Sequence, residues 1–159
     1  MRIQLHAFKG PESRHLGVKN MTIIHGKIVN KLGAANKTVP LQMPYFIEYD
    51  PFFEKCHEAT INVILETPLK ISKWDINTKP IPWVKNRPDI TEKFSFLKIS
   101  FTYKNKNYPA LIYYPHQSPN RFNPFHVEIL TKKLELTNDK KCSVSIDRKC
   151  RRVSIIVVD

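Results

Sequence analysis

The chain predicts an all-β (mainly β) domain, a small barrel or sandwich with one or two short helices. Three observations carry this. Short β-branched and aromatic runs recur along most of the chain, and the clearest alternate apolar with polar residues. Prolines outnumber glycines 12 to 4, so the connections read as stiff loops. With 42% hydrophobic and 11% aromatic residues, the 159-residue chain can bury one real core and is not of disordered composition.

The elements follow in order. Residues 1–20 hold no apolar core of a signal peptide and read as a loose leader. Residues 22–29 are β-branched and open the folded part as a strand. Residues 30–36 interrupt the pattern with Asn, Lys and Gly and read as a loop. Residues 43–53 carry Phe46, Tyr49, Phe52 and Phe53 at mixed spacing and read as a short helix broken near Pro51. Residues 60–65 form a strand. Residues 68–88, with Trp74, Pro80, Pro82 and Trp83, have no clear period and read as an excursion over the surface. Residues 94–101 and 108–114 are strands joined by a hairpin turn at 104–107. A polar loop at 116–124 leads to a strand at 125–130. Residues 132–140 read as a short helix or turn, 142–146 as a strand, and 153–158 as one more strand. The domain reading is a leader at 1–20, a barrel at 21–146, and a basic C-terminal extension at 147–159 that adds a strand.

The net charge is +12, from 26 Lys and Arg against 14 Asp and Glu. A basic body attracts nucleotides, nucleic acid or acidic membrane surfaces without choosing among them. No apolar run approaches the roughly 20 residues that span a bilayer, so no membrane role is expected. Cys56, Cys142 and Cys150 show no zinc-ligand spacing. An odd count without a secretory signal fits reduced thiols and a cytoplasmic setting.

Several chemistries are excluded by motif. The chain has no G-x-x-x-x-G-K-[ST] loop, no G-x-G-x-x-G turn and no G-x-S-x-G elbow. His25, His57, His116 and His126 are scattered and read as surface or hydrogen-bonded side chains. What remains is Thr60-x-Asn62. Residues two apart on a strand share a face, so a hydroxyl and a carboxamide point the same way. They offer neutral oxygen ligands to Mg²⁺, which completes its shell with water and phosphates. The same pattern suits an ordinary half-buried strand with a polar outer face.

The order of segments is more specific than any one of them. Ile24-His25-Gly26-Lys27-Ile28-Val29-Asn30-Lys31-Leu32-Gly33 precedes Ala59-Thr60-Ile61-Asn62-Val63. Ala110-Leu111-Ile112-Tyr113-Tyr114-Pro115 and His126-Val127-Glu128-Ile129-Leu130 follow. Over residues 23–146 this order resembles the archaeal-type CTP-dependent riboflavin kinase family. The resemblance implies a six- to seven-stranded cradle-loop β-barrel that transfers the γ-phosphate of CTP to riboflavin, giving FMN and CDP. It implies Mg²⁺ on Thr60 and Asn62, and nucleotide contacts from Leu32, Gly33, Ala34, Ala35, Asn36 and Lys37. A second nucleotide segment falls at Lys132, Lys133 and Leu134. Flavin contacts fall on Ser118 and Glu128, with Glu128 also a candidate to receive the proton.

The chain departs from the family where glycines are expected. Ala34 and Ala35 stand in the loop, and Ala59 precedes the Thr. An alanine Cβ disfavours positive φ and close approach to phosphate. Two further readings therefore stand beside the kinase. One is a diverged member that binds nucleotide or flavin without efficient transfer. The other is a basic barrel that grips nucleic acid or a protein through Tyr103, Lys104, Lys106, Tyr108 and Tyr113.

Overall fold

The structure is a computed structural model that describes residues 21–29, 35–118, 123–137, 139–147 and 153–155. The leader, residues 30–34, Cys150 and the end of the basic extension lie outside them. Nine strands are described: β1 (Met21–Ile28), β2 (Ile61–Leu65), β3 (Leu69–Ile71), β4 (Ile76–Asn77), β5 (Phe94–Tyr103), β6 (Lys106–Pro115), β7 (His126–Leu130), β8 (Lys141–Asp147) and β9 (Val153–Ile155). One helix, α1 (Ala35–Phe46), and a short 3₁₀ helix (Pro51–Lys55) lie between β1 and β2.

Seven strands make one antiparallel sheet in the order β4-β5-β6-β7-β2-β1-β8. The far edge of β8 pairs back onto Ser100–Tyr103 of β5, which closes six strands into a barrel-like ring. Closure leaves those strands without a free edge. The mainly β expectation is met.

The barrel interior is apolar because the pleat sends alternate residues inward. Ile24, Val63, Leu97, Phe101, Ile112, Ile129 and Val144 fill it. A second cluster lies outside the barrel wall. There Val39, Met43, Phe46 and Phe53 cover Phe94, Phe96, Leu111, Tyr113 and Leu130. Phe46 is its hub, with ring centroids 4.9 Å from both Phe94 and Phe96. This explains β5. Its first four residues are buried on both faces, and alternation resumes only beyond the helix.

α1 begins earlier than expected and replaces the end of the predicted loop. Pro40 and Pro44 disguise it, because each removes an interior amide, at roughly 3 kcal/mol for a proline within a helix. Val39, Met43 and Phe46 recur at helical spacing and are fully or nearly fully buried. Each contributes ~1.5–3 kcal/mol on burial, so the three together are of the size needed to offset the two defects. Where the aromatic segment was expected to break, Asp50 caps the 3₁₀ helix by accepting the Phe52 N–H at 2.8 Å.

Other differences are local. The excursion at 68–88 contains β3 and β4, and Ile81 within it is buried and bridged to Glu92. It is tied down, not loosely draped. The hairpin turn is confined to Lys104 and Asn105, both at positive φ (50° and 61°), the backbone of a two-residue primed turn. The described residues between 132 and 140 form no helix. β9 lies in the basic extension and pairs antiparallel with β3. Among the described residues no helix is long and apolar enough to cross a membrane.

Candidate functional site

The β2–β7 ladder builds the site. Its register sets Asn62 opposite Glu128 and Ile64 opposite His126. Val63, Val127 and Ile129 face the interior cluster, so Thr60, Asn62, His126 and Glu128 share the outer face. The Thr60 hydroxyl donates to Glu128 Oε1 at 3.0 Å. Asn62 Oδ1 lies 2.8 Å from His126 Nε2, so the shared proton sits on that imidazole nitrogen. Just upstream, the His57 N–H bonds the Thr131 carbonyl at 2.8 Å, which holds the approach to Thr60 against the end of β7.

Burial pushes the Glu128 carboxyl above its usual range, and the Thr60 hydroxyl opposes that rise only in part. Tyr113 stands opposite Glu128 on β6. Its phenol donates to Gln42 Oε1 of α1 at 2.7 Å, and burial raises its pKa far above the ordinary range.

Two cavities flank this row. The larger, about 270 Å³, is walled by Leu69, Ile71, Trp74 and Tyr114 and receives Ser118 and Glu128. The smaller, about 190 Å³, is bordered by His57, Ala59, Thr60, Lys132, Lys133 and Leu134. Glu128 lines the first, Thr60 lines the second, and the hydrogen bond between them spans the partition.

The structure thus brings together most of the residues picked from the sequence. Thr60, Asn62 and Glu128 are neighbours, Ser118 shares a cavity with Glu128, and Lys132, Lys133 and Leu134 share one with Thr60. Asn62 lines neither of these cavities and meets the larger through His126. Ala35, Asn36 and Lys37 form the first turn of α1 instead of a loop; Asn36 and Lys37 are exposed. Leu32, Gly33 and Ala34 lie outside the described residues.

The donor set bears on Mg²⁺. Thr60 directs its proton to Glu128, which leaves oxygen lone pairs to offer. Asn62 Oδ1 accepts one proton and keeps a second lone pair. Among the described residues no group of three or more His, Cys, Asp or Glu side chains is placed to hold a metal. Each side chain therefore keeps an oxygen lone pair, the chemistry a hard cation needs, with Thr60 at the smaller cavity and Asn62 at neither.

The nucleic-acid face is corrected in part. Tyr103 and Tyr113 are 3% and 5% exposed, so neither offers a ring face to a base. Tyr108 is half-buried with Lys132 Nζ 5.9 Å from its ring centroid. Cys56 and Cys142 are free thiols, raised by burial to about 12 and about 11.

Sequence reasoning gave His126 only as a surface or hydrogen-bonded side chain, the latter borne out by Asn62, and assigned no site role to Trp74, Tyr114 or Gln42. His126-x-Glu128 on one strand mirrors Thr60-x-Asn62 on its neighbour, and two period-two polar pairs were the available signal for His126. Nothing local marks Gln42 or Trp74, because their partners are 71 and 40 positions away. No protein-family model matches the chain, and neither does any curated protein.

Proposed function

We propose that the protein is a CTP-dependent riboflavin kinase, a phosphotransferase making FMN and CDP. The observation that supports this reading is the single hydrogen bond from Thr60 to Glu128 between two cavities. Phosphoryl transfer needs a donor and an acceptor held side by side and in line, and positioning and electrostatics supply most of the rate. The lysine-bordered cavity suits the nucleotide phosphates, and the aromatic-walled one suits the flavin.

Thr60 and Asn62 would hold Mg²⁺, which when bound offsets phosphate charge. Lys132 and Lys133 would add fixed positive charge beside the transferring group. Glu128, half-buried and made more basic by desolvation, would orient the acceptor hydroxyl and take its proton. His126 holds the Asn62 carboxamide in one orientation.

Incubation with riboflavin, Mg²⁺ and either CTP or ATP, followed by chromatography, tests the reading. FMN with CTP supports it. Bound riboflavin or CDP without FMN leaves only the diverged binder. Absence of both, with salt-sensitive retention on a polynucleotide, moves the function to nucleic acid.

A further inference from the structure

The wall of the larger cavity holds a ring stack to whose residues the kinase reading gives no individual role. Trp74 lies on Tyr114 with centroids 4.9 Å apart and planes at 22°. Tyr114 meets the His116 imidazole edge-on at 5.2 Å. His116 Nε2 is 2.8 Å from Ser95 Oγ, and that hydroxyl donates to Asn77 Oδ1 at 2.7 Å. Since Ser95 gives its proton to Asn77, it accepts from the imidazole, which fixes the ring. Ser95 is 1% exposed, so this anchor is out of water. Burial and nearby Lys93 lower the His116 pKa, and Glu92 opposes that shift.

A surface aromatic pair serving only to cover the barrel needs no such support. Here the far end of the stack is hydrogen-bonded into the sheet, and the near end lines a cavity that also receives Ser118, His126 and Glu128. Apolar walls with a few convergent polar groups are the usual form of a small-molecule site. Rings fixed before binding lose little entropy when a flat partner joins them. Indole and phenol faces are electron-rich, so the matching partner is electron-poor.

We infer that Trp74 and Tyr114 form a stacking wall that selects a planar, electron-poor fused heteroaromatic ring, with Trp74 as the specificity-determining residue. The inference rests on reading this cavity as the acceptor site, and it names what that site recognises: the ring system, separately from the hydroxylated chain.

The test uses the full chain and lumichrome, the flavin ring without its ribityl chain, with binding followed by ligand fluorescence. Wild type binds lumichrome. Trp74→Leu weakens it by about tenfold, the loss expected for one good ring contact. Trp74→Phe stays within about threefold, and the melting shift given by CDP is unchanged in both. If the leucine variant does not fold, Trp74→Met removes the ring while leaving an unbranched, flexible apolar side chain that fills irregular gaps, and gives the same reading. Lumichrome binding that ignores both ring-free variants, or wild type that takes no lumichrome, overturns the inference. Trp74-dependent lumichrome binding with no transfer from any nucleotide keeps the wall and removes the kinase. FMN formation with Trp74-independent ring binding does the reverse.

Discussion

The two faces of the β2–β7 ladder share one backbone and do different work. Inward, Val63 and Ile129 are fully buried in an apolar interior. Outward, Thr60 bonds Glu128 and Asn62 bonds His126, and all but Asn62 line one of two cavities. The inner face draws its energy from many small contacts, any one of which is replaceable by a similar shape. The outer face depends on specific atoms, because a half-buried polar group that loses its partner bears its desolvation alone. A change on the first face therefore shows up as stability, and a change on the second shows up as function.

Substitutions can break this division. Ile129→Ala is expected to lower stability most, by about 2–5 kcal/mol in a urea titration, through lost burial and a residual cavity. Gly26→Ala comes next. A Cβ there would lie 2.8 Å from both the Ile64 carbonyl oxygen and Val63 Cγ1, so β1 and β2 must part. A loss of about 1–3 kcal/mol is expected, readable by the same titration. Asn62→Ala reverses the balance. Stability should fall by about 1–3 kcal/mol, because the buried His126 ring loses its acceptor, while Mg²⁺-dependent turnover disappears. A variant with wild-type turnover would take Asn62 out of the metal site.

The smallest effect lies in alkaline stability. The folded chain holds the Cys56 proton up to about 12, whereas the ordinary thiol value is 9.0. The unfolded state therefore releases this proton first as pH rises. The thiol's contribution to stability is complete below pH 9 and fades from there towards 12. Wild type should lose stability more steeply than Cys56→Ala across that window in chemical denaturation under reductant.

The inner face was legible because period-two alternation repeats along β1, β5 and β8, and each strand corroborates the next. Thr60 and Asn62 were picked from their period-two spacing and Glu128 from the order of segments, yet their contact needed the register. The sequence does not state that Asn62 falls opposite Glu128 rather than one residue away, and a one-residue slip would send the two to opposite faces. α1 was misread because proline statistics describe an isolated helix, whereas Val39, Met43 and Phe46 are held by the sheet beneath them. Trp74 was seen only as a residue of the excursion. The ladder of β3 with β9 and the stack on Tyr114 are tertiary facts with no local mark.

The central claim is that the Thr60–Glu128 contact joins a nucleotide cavity to a flavin cavity. It is tested most directly with CTP labelled at the γ-phosphate, riboflavin and Mg²⁺, comparing wild type with Thr60→Val, which keeps the side-chain shape and removes the hydroxyl. The account predicts labelled FMN from wild type and almost none from a variant that still folds and binds riboflavin. Equal label in both, or riboflavin bound by wild type without label transfer, would contradict it.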